Sequence, residues 1–135
     1  PAPAAQLSPS IFSFIHVITP NETEAELLTG VQVTDFGSAQ KAGQVFTELG
    51  VQNILITLGA KGVYLKSADF EGIVETPQVV AIDTTAAGDC FSGALAVAIH
   101  EEKTLVEAAK FACKAASIAV TRMGAQASMP SRAEM

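Results

Sequence analysis

The chain has 135 residues, a formal net charge of −6, 49% hydrophobic residues and 16% charged ones. That apolar content excludes an intrinsically disordered chain. The acidic balance argues against a nucleic-acid binder, because the eight basic residues are scattered and form no patch that could neutralise a run of phosphates. The length suits one domain or part of a larger one, enough to bury about two-thirds of the unfolded surface. Cys90 and Cys113 show no CxxC or metal spacing, which points to a reduced, cytoplasmic protein. No run approaches ~18 consecutive apolar residues and no charged segment precedes an apolar one, so neither a membrane span nor a signal peptide is expected. Pro1 stands where an initiator Met would, leaving open a processed product, an expression fragment or one piece of a longer chain.

In chain order, the first dozen residues (PAPAAQLSPSIF) carry three of the six prolines and read as an irregular lead-in. His16 to Thr19 reads as a short buried strand ended by Pro20. Asn21, Glu24 and Gly30 then mark a short helix at both ends: an N-cap, its capping-box partner and a C-terminal glycine. A second helix is predicted from about Ser38 to Leu49, stopping at Gly50. Asn53 to Thr57 (NILIT) is a near-continuous apolar run, as in a strand buried on both faces. Gly59-Ala60-Lys61-Gly62 makes a tight turn into a second strand, GVYLKS, giving a hairpin. A loop around Asp69 to Gly72 leads to a third strand ending near Ile82. A small-residue loop, Asp83 to Gly88, opens an apolar helix from about Asp89 to His100. Thr104 and Glu107 form another capping box, heading a helix predicted to reach Met123 and stop at Gly124. The last eleven residues read as irregular. Alternating strands and helices with apolar strands indicate an α/β fold with a partly parallel sheet.

The segment VVAIDTTAAGDCFSGALAVAI carries the chemistry. Small residues let backbone approach a ligand closely, and the first turn of the following helix offers unpaired N–H groups at the positive end of its dipole, which is an anion-binding arrangement. Asp89 stands at the same helix start, where a carboxylate can accept a proton from a hydroxyl. An anion cradle beside a general base fits phosphoryl transfer to an alcohol. Aspartate is also a favoured helix N-cap, and the local pattern alone leaves both roles open. His16 and His100 read as structural or surface residues, and Cys90 as a small core residue. No Walker A, G-x-G-x-x-G, G-x-S-x-G or H-E-x-x-H motif occurs.

D-T-T-A-A-G-D, Asp83 to Asp89, resembles the second signature of the ribokinase-like (PfkB) carbohydrate kinases, usually D-T-x-G-A-G-D, with Ala86 in place of the commoner glycine. V-I-T-P-N-E-T-E-A-E-L-L-T-G, I-T-L-G-A-K-G-V, AVTRMGAQ and the opening PAPA resemble the same family in the same order, so the resemblance covers essentially the whole chain. It implies the C-terminal portion only of a ribokinase-like (Rossmann-like) α/β three-layer sandwich. Residues 1–135 would be its ATP-binding, catalytic-base part, with the N-terminal sugar-binding half and lid absent.

The resemblance also implies roles. Asp89 would be the catalytic base and would bind the sugar hydroxyl together with Asp83; Ala86, Ala87 and Gly88 would form the anion hole. Asn21 and Glu24 match an N-x-x-E motif that orders Mg²⁺ and phosphate, Glu24 through water; from the residues alone the same pair is a capping box. Thr57, Leu58, Gly59, Ala60, Lys61 and Gly62 match the turn along the nucleotide, with Cys113 near the adenine. Asp83, Thr85, Ala119, Arg122, Gly124 and Ser128 fall where the family binds a monovalent cation, K⁺, and Arg122 would use its carbonyl. The implied reaction is transfer of the γ-phosphoryl of Mg-ATP to a sugar primary hydroxyl, with D-ribose as the acceptor. A fructokinase, a nucleoside kinase or a nucleotide-binding fragment without turnover are the alternatives. The implied partners are ATP and a small sugar, with neither nucleic acid nor membrane, and the full-length parent would be a homodimer.

Overall fold

Ile54, Leu55 and Ile56 are each fully buried at the middle of β2 (Asn53–Thr57), a strand with neighbours on both edges. In the computed structural model, which describes residues 7–135, β1 (Val17–Ile18) pairs parallel to β2 with Ile18 opposite Ile54. β3 (Val63–Lys66) pairs antiparallel to β2, with Leu55 opposite Leu65, and β4 (Glu71–Val74) completes the order β1-β2-β3-β4. The apolar run and the hairpin are therefore where the sequence places them. Burying three branched aliphatic side chains contributes about 1.5–3 kcal/mol each. The PAPA stretch lies outside the described residues.

The chain divides into two compact units, residues 7–59 with 63–73, and Ala60–Gly62 with Val74–Met135. In the first, α1 (Pro9–Phe12), α2 (Glu22–Thr29) and α3 (Phe36–Glu48) surround a core of Phe12, Ala25, Ala39, Ala42, Phe46, Ile54, Ile56 and Tyr64. α1 was not foreseen in the lead-in; Pro9, pre-set for a first helical turn, begins it. α2 is closed by the expected box, with Glu24 N–H donating to Asn21 Oδ1 and Asn21 N–H to Glu24 Oε2, both at 2.9 Å. α3 starts two residues earlier than its apolar pattern indicates, because Asp35 and Ser38 form a reciprocal cap of their own. Gly43 on α3 lets the helix approach Tyr64 so closely that a Cβ there would lie 2.6 Å from the ring.

The second unit is built on α4 (Ala87–His100) and α5 (Leu105–Ala119). α4 buries Cys90, Phe91, Leu95 and Ala98, while α5 buries Ala108, Ala109, Ala112, Cys113, Ala115, Ser117 and Ala119. The small α5 side chains let the two helices pack at close range. The expected Thr104–Glu107 box caps α5. Among the described residues, no helix is long and apolar enough to cross a membrane.

Three expectations need correction. The third strand stops at Val74 instead of continuing to Ile82. Pro77 has no N–H to give a ladder, Val80 is 86% exposed, and Ile82 N–H is taken by Val120 O at 2.7 Å. α5 stops at Ala119, not Met123, because Thr121 and Arg122 donate to Ile118 and Ala119 in a tightened last turn and the chain then leaves the helix. The tail is not wholly irregular: 3₁₀ turns form at Gln126–Ser128 and Arg132–Glu134.

Two glycine and alanine positions give stability tests. Gly62 has φ +98°, and a Cβ there would stand 2.3 Å from Val74 O. Gly62→Ala is expected to destabilise by about 2–3 kcal/mol in urea unfolding followed by circular dichroism. Ala86, the N-cap of α4, sits in the left-handed region at φ 59°, ψ 14°. Ala86→Gly removes a steric cost of about 1–2 kcal/mol and adds a smaller unfolded-state entropy cost, so a net gain of about 0.5–1 kcal/mol is expected in the same experiment.

Candidate active site

The second unit holds the DTTAAGD loop. Asp83 Oδ1 accepts Thr85 N–H at 2.9 Å and Asp83 Oδ2 accepts Gly124 N–H at 2.9 Å. Val120 O accepts N–H groups from Ile82 at 2.7 Å and Asp83 at 3.1 Å. Residues 82–85 and 120–124 are thus stitched at two places. The Thr85 hydroxyl, then the N–H groups of Gly124 and Thr85, hold the Asp83 carboxyl below the ordinary range.

Beyond Asp83 the chain turns through Ala86 into α4. Ala87 N–H donates to Thr84 O at 3.2 Å and Cys90 N–H to Ala86 O at 2.9 Å. No side chain caps the helix start, unlike α2, α3 and α5. Gly88 is exposed, and a Cβ built on it would meet nothing within 4 Å. Asp89, in the first turn, is exposed, and its carboxylate has no partner among the described residues. The arrangement presents backbone N–H groups, the positive end of a 14-residue helix and one carboxylate at the same place.

The remaining residues singled out in the sequence fall as follows. Asp83, Thr85 and Gly124 are joined by direct hydrogen bonds, while Ala119 and Arg122 share one turn through Arg122 N–H to Ala119 O at 3.0 Å. Ser128 is buried, and its hydroxyl donates to Ala125 O at 2.7 Å. The Arg122 guanidinium pairs with Glu134. Among the described residues no three His, Cys, Asp or Glu side chains cluster as metal ligands. The oxygens of this loop are carbonyl, hydroxyl and carboxylate, a set suited to a hard cation.

Cys113 is buried in α5, and burial pushes its thiol up to about 11; burial also raises Cys90. Neither is an activated thiol. In the same unit Gln78 Nε2 donates to Ala60 O at 3.0 Å, steadying the turn that carries Ala60, Lys61 and Gly62.

In the first unit, Asn21 pairs with Thr57 in an isolated parallel bridge, and Thr57 N–H donates to Pro20 O at 2.9 Å. The head of α2 and the end of β2 therefore lie side by side. The capping interaction occupies Asn21 Oδ1 and Glu24 Oε2. Leu58 turns its side chain into the core, leaving its backbone for any ligand, while Gly59 is exposed at φ 56°.

The sequence reading passed over two further contributors, Gln78 and Glu134. Nothing in the local pattern marks Gln78. Glu134 carries a legible signal, since Ser131-Arg132-Ala133-Glu134 has capping-box spacing and forms that box. The Arg122 guanidinium, followed by Ser131, holds the Glu134 carboxyl down at about 2.

Comparison with known proteins follows the same outline. The family model for pfkB family carbohydrate kinases matches residues 1–132. A ribokinase from Haemophilus influenzae is 52% identical over 134 residues, 99% of this chain and 44% of the relative. A solved ribokinase from Thermotoga maritima superposes with a TM-score of 0.91 at 46% identity, covering 99% of this chain and 45% of that one. A ribokinase of Arabidopsis thaliana, solved with ribose and ATP, superposes with a TM-score of 0.87 at 35% identity, covering 97% and 43%. The chain thus spans less than half the length of the relatives it matches. Its sequence, its loop at Asp83 to Asp89 and its fold make it a member of the pfkB family of carbohydrate kinases, with the ribokinase-like α/β fold.

Proposed function

We propose that this chain supplies the ATP-side, base-bearing part of a kinase that phosphorylates the primary hydroxyl of a sugar, D-ribose foremost. The observation that carries the reading is the α4 head: an uncapped helix start, open space over Gly88 and an exposed carboxylate on Asp89. The Arabidopsis relative, solved with ribose and ATP, supports the choice of acceptor and donor.

In this mechanism Asp89 takes the proton of the sugar hydroxyl as its oxygen attacks the γ-phosphorus. The bond from the γ-phosphorus to the β,γ-bridging oxygen breaks, and ADP leaves. Ala86, Ala87 and Gly88 form the anion hole that receives negative charge on the transferring phosphoryl oxygens, the Ala87 N–H exchanging its bond to Thr84 O for one to phosphate. Asp83 positions the loop and stands beside the sugar. Thr57 to Gly62 line the nucleotide, with Leu58 contributing backbone only, and Cys113 lies toward the adenine. Asn21 and Glu24 would help hold Mg²⁺ with the nucleotide phosphates, Glu24 through water. Asp83, Thr85, Ala119, Arg122, Gly124 and Ser128 would hold K⁺. When bound, the two cations supply positive charge that the side chains do not.

A second reading follows from the coverage. Since the chain matches under half of each relative, it is a candidate for binding nucleotide without turnover by itself. An ADP-release assay with ribose, fructose and a nucleoside, run on the chain alone and on the chain joined to the unmatched portion of the Haemophilus influenzae relative, separates the two. Asp89→Asn in the active form is expected to lower kcat by roughly 10²–10⁴-fold while ATP affinity changes less than about twofold. Turnover equal to that of the unsubstituted protein removes Asp89 from the mechanism.

A further inference from the structure

Arg122 poses a problem for the loop it occupies. It lies between the two stitches that join residues 120–124 to 82–85, and it carries a full positive charge on the segment assigned to a monovalent cation. A guanidinium is always protonated and cannot ligate a cation. Left beside those oxygens, it would compete with the ion it is meant to accommodate.

The structure takes that charge elsewhere. The guanidinium pairs with Glu134 Oε1 on the last 3₁₀ turn. Glu134 Oε2 accepts both the N–H and the hydroxyl of Ser131, each at 2.8 Å, so the carboxylate is itself held in place. The turn is anchored in its own right. Arg132 reaches Glu101 at the end of α4 at 2.8 Å and lies 4.9 Å from the centre of the Phe111 ring on α5. Met135 packs against the cluster of Cys90, Ala115 and Ala119. These contacts give Glu134 a fixed position from which to hold Arg122. As a half-exposed pair, its direct contribution to stability is small, and its charge placement is the larger effect.

We propose that Glu134 is a positioning residue for the monovalent-cation site, holding the Arg122 guanidinium as a neutralised pair on the C-terminal turn so that the carbonyl of residue 122 is available without its charge. This rests on the reading of Asp83, Thr85, Ala119, Arg122, Gly124 and Ser128 as that site. It differs from a general bracing role in one respect: the damage done by losing Glu134 is caused by Arg122, and removing Arg122 as well repairs it.

The test is the K⁺-dependent gain in melting temperature of the chain, with Na⁺ and choline at equal ionic strength as controls. K⁺ is expected to stabilise the unsubstituted chain more than either control. In Glu134→Gln, the K⁺ concentration giving half of that gain is expected to rise about five- to tenfold, from one uncompensated charge within several ångströms of the ion. The double variant Arg122→Gln with Glu134→Gln keeps the backbone carbonyl and is expected to return within about twofold of the unsubstituted chain. Arg122→Gln alone is expected to respond to K⁺ as well or better. Amide exchange at Gly124, which reports the bond to Asp83, is expected to stay slow in all three. A K⁺ response unchanged in Glu134→Gln, or a double variant as weak as the single one, overturns the role of Glu134 while leaving the cation site standing. Absence of any K⁺-specific gain in the unsubstituted chain overturns the site, and this proposal with it. Should Glu134→Gln not fold, Arg122→Gln decides the matter, since a weakened K⁺ response there contradicts the proposal.

Discussion

Asp83 spends both carboxylate oxygens on backbone N–H groups, one two residues ahead and one 41 residues ahead. Those two bonds, with the paired N–H groups on Val120 O, make the loop before α4 and the segment after α5 a single piece of structure. The geometry that follows depends on it. The chain must reverse through Ala86 to enter α4, which puts a residue with a side chain at φ 59° and leaves the helix head without a side-chain cap. Every other helix of eight residues or more among those described begins with a reciprocal capping box. The exception is the helix whose first turn carries Asp89.

Capping explains much of what could be read from the sequence. Asn21 with Glu24 and Thr104 with Glu107 announce α2 and α5 by a local rule that needs no knowledge of the rest of the chain. The apolar run NILIT announces β2 in the same way, and the Gly59 to Gly62 turn announces the antiparallel hairpin. The errors occur where a distant partner decides. Val79, Val80 and Ile82 have the composition of a strand, but Pro77 and the diversion of Ile82 N–H to Val120 leave them outside a ladder. The end of α5 is set by its tightened last turn, after which Gly124 N–H goes to Asp83, 41 residues away, instead of continuing the helix. Both misplaced boundaries fall where residues 82–83 and 120–124 meet, segments far apart in sequence. Glu134 shows the opposite case, a legible box whose second partner is Arg122, twelve residues away, where no local pattern points.

The proposed site divides along the same line. Asp89 and the small-residue loop are readable from composition and from the helix that follows, since an acidic first turn after Ala and Gly is a local feature. The oxygens assigned to the monovalent cation are not, because backbone carbonyls leave no mark on the residue type. Ala119 and Gly124 have nothing in their side chains to single them out. Only the family resemblance names them, and the stitching at Asp83 and Val120 gives a physical reason for their being neighbours.

Charge ties these observations together. Of the eight basic residues, Lys66, Lys103, Arg122 and Arg132 are engaged with Glu71, Glu101, Glu134 and Glu101 respectively, and Lys114 donates to Met135 O. A chain of net charge −6 with most of its cations committed in this way has little side-chain charge left for the triphosphate that the proposed function requires. Backbone can do what side chains here do not: a helix dipole and unpaired N–H groups attract an anion without adding net charge. Metal ions can add it when bound, and they do so only where protein cations stay out of their way. In the proposed site the pairing of Arg122 with Glu134 would meet that requirement, and so would the use of Ala and Gly, in place of Lys or Arg, at the head of α4.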